Sequence, residues 1–215
     1  MTHITILADT HSNHKQLKLT GGDLLLHVGD FSNLGTHDEI QSFLAWFDRQ
    51  HYIHKVYIAG NHDLSYERNI PLKNKFLALY PHIHYLEDSG IVLEGIKIWG
   101  SPWSPAFCNW AFNLPRKSKY LQEKWNMIPD DTDILMTHTA PYGIFDPNYD
   151  GISVGCELLR EAIIDIAPRV HCFGHLHSGY DIAETCFGKG NTLFINASIC
   201  NDYNQVVNKP IDINY

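Results

Sequence analysis

The sequence has few cysteines, no long apolar run and no excess of positive charge, and each absence excludes a class of protein. Five cysteines are scattered over 215 residues and never occur as C-x-x-C. That distribution argues against a thiolate zinc site and favours a reducing compartment. No apolar run approaches the roughly 20 residues that a membrane span needs. The formal net charge is −8, whereas proteins that grip long DNA or RNA are usually basic.

Signals for targeting and for additional domains are also missing. The segment MTHITILADTH has no basic region ahead of its apolar residues, so we expect no signal peptide and a cytoplasmic location. No repeat, low-complexity segment or linker is visible, which predicts a single domain over residues 1–215. We expect neither a membrane nor a long nucleic acid as partner, and the oligomeric state stays open. A small phosphorylated ligand remains compatible with the acidic chain, because bound metals supply positive charge locally.

What the chain does have is histidine, 14 in all, and a recurring junction between apolar strands and polar residues. Each junction is a short apolar run followed at once by side chains that bind metals. The runs are 4–8 before Asp9 and His11, 24–28 before Asp30, 56–59 before Asn61, His62 and Asp63, 134–136 before His138, and 170–173 before His175 and His177. Other histidines, such as His171, suit surface or turn positions.

Amphipathic helices are predicted between these strands, together with two further strands at 96–99 and 192–195. The segment 38–50 has helical apolar spacing after a capping box formed by Thr36 and Glu39. The segment 155–167 ends at Pro168, and 70–80 and 117–126 are weaker helices. Alternating strands and helices predict an α/β fold with a largely parallel core. Ligands of such sheets bind beyond the carboxyl ends of the strands, where the polar residues would meet.

The converging side chains form a mixed nitrogen and oxygen ligand set for divalent metals. They are Asp9, His11, Asp30, Asn61, His62, His138, His175 and His177. Taken singly, each motif also suits a turn, a helix cap or a core histidine. Together they exceed what one tetrahedral site needs, which predicts two adjacent ions. If the Asp30 carboxylate bridges them, the pair clamps a phosphoryl group and sharpens a bridging water into hydroxide.

These motifs resemble the signature of the calcineurin-like metallophosphoesterases. The chain has D-x-H at 9–11, GD at 29–30, GNHD at 60–63, TH at 137–138 and GHLH at 174–177, in the family's order. The fourth motif is usually GH, and Thr137 replaces its glycine here. The resemblance implies the calcineurin-like phosphoesterase fold, a four-layer α/β/β/α sandwich.

The resemblance also implies a role for each motif residue. One metal would be held by Asp9, His11, Asp30 and His177, and the other by Asp30, Asn61, His138 and His175. His62 would face the substrate, stabilise charge on the phosphoryl oxygens and help to protonate the leaving group. Asp63 would hold the His62 ring in position. Manganese is expected to support activity in vitro, and iron, zinc, nickel or magnesium would also suit this ligand set.

A denser resemblance links the chain to the metallophosphoesterase-domain-containing proteins related to class III cyclic nucleotide phosphodiesterases. It is carried by segments 100–116, 137–146, 154–159, 173–180 and 195–200. It implies a phosphodiesterase that hydrolyses small diesters, such as cyclic nucleotides, through a metal-bridging hydroxide. Two alternatives stay open: a phosphomonoesterase or protein phosphatase, and a nucleotide-binding regulatory module with low turnover.

The aromatic segment 100–116 supplies candidate substrate contacts. They are Trp103, Phe107, Asn109, Trp110 and Arg116. The aromatic rings would form a platform for a base, or would simply pack a long loop onto the core. Arg116 would pair with a phosphate or form a surface salt bridge.

Overall fold

Residues 1–215 are described by a computed structural model with thirteen strands and five helices. The strands are β1 His3–Leu7, β2 Gly22–Val28, β3 Tyr52–Ile58, β4 His84–Tyr85, β5 Ser89–Leu93, β6 Ile96–Ser101, β7 Ser104–Pro105, β8 Asn113–Leu114, β9 Ile134–Thr137, β10 Val170–Phe173, β11 Asp181–Phe187, β12 Gly190–Asn196 and β13 Ile211–Asn214. The helices are α1 His37–Asp48, α2 Leu64–Arg68, α3 Ile70–Leu79, α4 Lys119–Trp125 and α5 Glu157–Ile166. None of the helices combines the length and apolar character needed to cross a membrane.

Two large sheets contain nearly all the strands. The first has the order β13-β1-β2-β3-β4, in which only β13 runs antiparallel to its neighbour. The second has the order β11-β12-β10-β9-β6-β5, with a parallel centre and antiparallel edges. The prediction of a largely parallel α/β core is therefore confirmed.

The sheets pack face to face, and helices cover their outer faces. Ile6 and Leu26 of the first sheet share one buried apolar cluster with Ile98 and Met136 of the second. A second cluster joins α1 and α3 to the outer face of the first sheet, and a third joins α4 and α5 to the second sheet. Alternate strand side chains face opposite sides of a sheet, so each sheet contributes to two clusters. This arrangement is the predicted α/β/β/α sandwich.

Local sequence signals place the two principal helices. Glu39 N donates to Thr36 Oγ1, and Thr36 N donates to the Glu39 carboxylate at 2.9 Å, so the predicted capping box starts α1. Helix α5 begins two residues later than predicted, because Cys156 is its N-cap and accepts a hydrogen bond from Leu159 N through Sγ. It ends before Ala167, which has a φ of 49°.

The parallel strands of both sheets bring their carboxyl ends to one edge of the sandwich. An isolated parallel bridge joins Ala8, just after β1, to Ser198, just after β12. Ala8 N donates to the Ala197 carbonyl, and Ile199 N donates to the Ala8 carbonyl, both at 2.9 Å. The loops after β1, β2, β3, β9 and β10 consequently meet at this seam between the sheets.

Candidate metal centre

Two glycines allow the strand-end loops to approach one another closely. A Cβ on Gly60 would lie 2.3 Å from Asp30 Oδ1 and 2.6 Å from the His138 ring. A Cβ on Gly174 would lie 2.3 Å from Asp9 Oδ2. Real Cβ atoms essentially never come within 3.0 Å of such atoms. The glycines of the GNHD and GHLH motifs are thus required by the space around the two carboxylates.

The backbone is strained where it presents the predicted ligands. Asp9, His11, Asp30 and His175 have φ values of 51°, 40°, 54° and 70°. This left-handed conformation costs about 1 kcal/mol or more for a residue with a Cβ, and it persists only where surrounding structure enforces it. Such strain concentrates at functional sites. It turns the side chains out of the strand pleat and towards one point.

One group of ligand atoms forms around Asp9. The side chains of Asp9, His11 and His177 place one ligand atom each within 4.8 Å of the others. His11 Nε2 lies 3.2 Å from His177 Nε2, and His177 Nε2 lies 3.8 Å from Asp9 Oδ1. The Asp9 carboxylate is fixed by His175 N at 2.9 Å and by the Ser198 hydroxyl at 2.7 Å. Loops from both sheets therefore build this group.

The adjoining group forms around Asp30, His138 and His175, whose ligand atoms also lie within 4.8 Å. His138 Nε2 lies 2.9 Å from Asn61 Oδ1 and 3.4 Å from Asp30 Oδ2. The other nitrogen of His138, Nδ1, donates to the Val28 carbonyl at 3.1 Å. A main-chain acceptor on Nδ1 leaves Nε2 of the neutral ring free for a metal.

Asp30 connects the two groups. Its Oδ2 lies 3.9 Å from His11 Nε2 on one side and 3.4 Å from His138 Nε2 on the other. Its Oδ1 accepts a hydrogen bond from His62 N at 2.8 Å. Asp30 is only 2% exposed, so its orientation is set by these neighbours. The structure thus brings all seven predicted ligands together, with Asp30 in the middle; that they bind metal stays a prediction.

Both carboxylates are held in the ionised form. Burial works against ionisation of Asp9, but the hydrogen bond and charge of His177 outweigh it and lower the Asp9 pKa to about 2. Burial of Asp30 is likewise outweighed by His138, and the Asp30 pKa lies well below its usual value. An ionised carboxylate in a buried cluster of imidazoles is the form that coordinates a cation.

The histidines divide into two kinds. Burial lowers the pKa of His11 to about 4 and that of His175 to about 3, so both rings are neutral at pH 7. For His138, burial is outweighed by Asp30 and the pKa rises to about 9. For His177, burial is outweighed by Asp9 and the pKa rises to about 8. Those two protons supply the positive charge that bound cations would supply in their place.

The chemistry and the facing arrangement of the donor atoms fit a pair of divalent ions. His11 Nε2 and His177 Nε2 face each other at 3.2 Å. Imidazole nitrogens, carboxylates and an amide oxygen, without a thiolate, form a donor set for manganese, iron, zinc or nickel. Seven such donors in two adjoining groups that share Asp30 match two ions better than one.

His62 stands beside this cluster, half-buried in the lining of the cavity. Its Nδ1 donates to the Asn33 carbonyl at 2.8 Å, and its ring centroid lies 4.8 Å from that of His11. Trp110 stacks on it with a centroid distance of 4.1 Å and an interplanar angle of 30°. The ring is therefore fixed on one edge and covered on one face.

Asp63 does not hold the His62 ring, which corrects the prediction. Its Oδ1 accepts from Ser32 N at 3.0 Å and from the Ser32 hydroxyl at 2.6 Å, and its Oδ2 accepts from Gly60 N at 2.8 Å. The α2 helix starts directly after Asp63 and turns the carboxylate inwards, away from the ring beside it in sequence. Asp63 thereby joins the loop after β2 to the loop after β3, and the Asn33 carbonyl orients His62.

The candidate substrate contacts separate into two sets. Phe107 lines a cavity of about 250 Å³ together with His11, Asp30, Asn61, His62, His175, His177, Asp202 and Asn204. Phe107 lies over His175 at a centroid distance of 5.3 Å, and Trp110 lies over His62. The Asn109 side chain is exposed, and the main-chain carbonyl of Asn109 accepts a hydrogen bond from Arg68 Nη2.

Trp103 and Arg116 do not line the cavity, and their side chains bond to other loops. Trp103 Nε1 donates to Asp88 at 2.8 Å, and the ring packs on Phe112. Arg116 Nη1 donates to the Gly155 carbonyl at 2.8 Å and to Glu157 at 2.6 Å. Both side chains stabilise loops, which favours the packing alternative for these two positions.

Sequence reasoning missed several residues of the site. Asp202 and Asn204 lie in a loop without a strand-end motif, so no local signal marked them. Asn33 and Ser198 follow strand ends, at Val28 and Asn196, but their residue types did not single them out. His171, assigned above to a surface or turn, is fully buried on β10 with Nε2 2.8 Å from Thr137 Oγ1. A histidine within an apolar run was the available signal for that burial.

Comparisons with known proteins identify the family of this chain. Residues 2–179 match the family model of the calcineurin-like phosphoesterases, and the chain belongs to this family. It is 38% identical over 234 residues to metallophosphoesterase domain-containing protein 1 of Homo sapiens, a match covering 99% of this chain and 70% of that protein. It is 37% identical over 221 residues to UPF0046 protein T07D4.2 of Caenorhabditis elegans, covering 90% of this chain and 54% of that protein. The chain is therefore a metallophosphoesterase, of a family that uses divalent metals.

A solved structure supports the fold. The protein TT1561 of Thermus thermophilus superposes with a TM-score of 0.62 at 15% identity, over 90% of this chain and 88% of that one. At this identity the likeness concerns the arrangement of sheets and helices.

Proposed function

We propose that this protein is a dinuclear-metal-dependent phosphodiesterase that hydrolyses small phosphodiesters such as cyclic nucleotides. The observation that carries the proposal is the convergence of seven ligand-type side chains with Asp30 in the middle, and with His62 beside them in the cavity lining. Asp9, His11, Asp30 and His177 would hold one ion, and Asp30, Asn61, His138 and His175 the other. When bound, such a pair supplies Lewis-acid charge at the phosphoryl group and lowers the pKa of water.

His62 would act on the leaving group. The bond from its Nδ1 to the Asn33 carbonyl fixes the tautomer of the neutral ring and leaves Nε2 able to carry a second proton. The indole ring of Trp110 stacks on the imidazole and limits its rotation. A protonated His62 can donate to a phosphoryl oxygen and then pass its proton to the departing alkoxide.

The size of the cavity supports a small substrate. Its volume of about 250 Å³ is below the roughly 300–1,000 Å³ that suits drug-sized ligands. A phosphodiester group and part of one substituent fill that volume, and Phe107 and Trp110 offer apolar faces for the remainder. Five free cysteines and the acidic charge support a cytoplasmic enzyme that does not act on long nucleic acids.

The test compares two chromogenic esters after metal removal and reloading. Protein stripped with chelator and reloaded with manganese should hydrolyse bis(p-nitrophenyl) phosphate and should be much slower on p-nitrophenyl phosphate. A preference for the monoester would make the protein a phosphomonoesterase instead. Two bound ions with no turnover of either ester would contradict an enzymatic role and favour a nucleotide-binding module. Success with the diester would direct the search to 2′,3′- and 3′,5′-cyclic nucleotides.

A further inference from the structure

Part of the cavity wall is formed by a tight turn, residues 201–205, which carries Asp202 and Asn204. The Asn201 side chain accepts hydrogen bonds from Tyr203 N and Gln205 N, each at 3.0 Å. The turn is closed by an antiparallel bridge between Cys200 and Val206. Asn13 Nδ2 donates to the Asn204 carbonyl at 3.0 Å and ties the turn to the loop after β1. Both lining side chains are thus presented from a fixed backbone.

Asp202 places a carboxylate on that wall. Ser178 donates to its Oδ2 at 3.1 Å, while its Oδ1 lies 3.8 Å from His177 Nδ1, too far for a hydrogen bond. The side chain is 42% exposed and lines the cavity. Its one ionic neighbour is His177, which would be neutral as a metal ligand, so in the metal-loaded protein the Asp202 charge would act on the cavity.

The basic side chains that line the cavity are all histidines. Its nine lining residues include no lysine or arginine. Enzymes that bind phosphoryl dianions commonly supply arginine or lysine for the additional charge. With the other lining histidines engaged as neutral metal ligands, the positive charge near a bound phosphate would come from the metal ions, and the Asp202 carboxylate on the cavity wall adds a repulsive charge. Discrimination by a repulsive element is a common way to reject a competing ligand.

We propose that Asp202 is a specificity-determining residue that makes the cavity selective for monoanionic phosphodiesters over dianionic phosphomonoesters. The inference rests on the proposed phosphodiesterase function. A diester carries one negative charge and presents a neutral ester substituent towards the rim. A monoester carries close to two charges above pH 7, and its second charge is repelled by the Asp202 carboxylate.

The experiment uses two esters with the same leaving group, so that their difference in charge is isolated. The ratio of kcat/KM for bis(p-nitrophenyl) phosphate to that for p-nitrophenyl phosphate is measured at pH 8 and low salt. Asp202→Asn should lower this ratio about tenfold, the scale for removing a like charge near the substrate, mainly through faster monoester hydrolysis. Added salt should shrink the effect, because the wall is partly exposed.

Two further variants keep the test decisive. Asn204→Asp adds a second carboxylate to the same wall and should raise the ratio; aspartate tolerates the φ of 55° at this position. Asp165→Asn is the matched control. Asp165 is 77% exposed and pairs with Lys189. Lys189 directly precedes β12, at the sheet edge opposite the cavity. This control should leave the ratio unchanged. Metal content is measured in every variant.

The outcomes separate the inference from the function on which it rests. If the wild type hydrolyses the diester but neither cavity variant changes the ratio, the role of Asp202 is wrong and the phosphodiesterase stands. If Asp202→Asn loses metal, the response of Asn204→Asp decides, and an unchanged ratio there overturns the inference. If the wild type with two bound ions hydrolyses neither ester, the proposed function fails and the inference fails with it.

Discussion

Adding one methyl group at Gly60 should disable the metal centre while leaving the fold in place. In Gly60→Ala the new Cβ would lie 2.3 Å from Asp30 Oδ1 and 2.5 Å from Asp30 N. Ordinary contact begins at 3.4 Å, so the carboxylate or its loop must move by the difference, about 1.1 Å. Metal–ligand distances tolerate only about 0.2 Å. Because Asp30 lies between the two groups, both ions should be affected.

The expected magnitudes differ for stability and for metal binding. Overpacking of this kind costs about 1–3 kcal/mol of unfolding free energy, which a domain of this size tolerates. Displacing the support of a ligand typically costs about 10–100-fold in metal affinity, and here the ligand itself moves, so a loss of at least about 100-fold is expected. Manganese affinity is measured by competition with a chelating dye on metal-free protein.

A matched variant separates the specific effect from the general effect of replacing glycine. Gly190 starts β12 at the opposite edge of the sheet, and its added Cβ would meet only Ala167 Cβ at 3.6 Å. Gly190→Ala should therefore bind manganese like the wild type. The reasoning is refuted if folded Gly60→Ala binds two ions with wild-type affinity.

Other perturbations probe the remaining assignments. His62→Ala should retain both ions, and its rate of diester hydrolysis should fall about 10²–10⁴-fold. The exposed His82 provides the control variant, His82→Ala. A wild-type rate of His62→Ala on a diester with a poor leaving group would show that His62 has no role in the mechanism. Asp63→Ala leaves three donors without an acceptor and should lower the unfolding free energy by about 1–3 kcal/mol. Urea titration measures this loss, and a wild-type midpoint would contradict it. Burial lowers the pKa of His171 to about 3, so the unfolded chain takes up its proton first, and stability is lost as pH falls below the unfolded value of 6.5. At pH 5 the loss is about 2 kcal/mol, and His171→Gln should remove that part of the difference between urea titrations at pH 7 and pH 5; an unchanged difference would contradict it.

The central strands and the ligand set were predictable because both follow local rules. Apolar runs that end in a glycine and a metal-binding residue marked the ends of β2, β3 and β10, and the parallel order then required their ends to meet. The capping box of α1 likewise depends on residues three positions apart. The structure confirms these strand ends and this helix start.

The edge strands and the cavity wall were not predictable in the same way. Strand β11 is exposed over almost its whole length, so no alternating apolar pattern marks it. Asp63 was assigned to the residue beside it in sequence, but its partners come from the loop after β2. Asp202 reaches the cavity only because the Cys200–Val206 bridge closes its turn. Such long-range pairings depend on the assembled fold and leave no local pattern in the sequence.

The central claim, a two-ion centre that hydrolyses phosphodiesters, is tested most directly by titrating chelator-stripped protein with manganese. Bound metal per chain and the rate of bis(p-nitrophenyl) phosphate hydrolysis would be measured in the same samples. We predict no hydrolysis without metal, and a rate that rises to a plateau at two ions per chain. Full activity in the stripped protein, or two bound ions with no hydrolysis, would contradict the account.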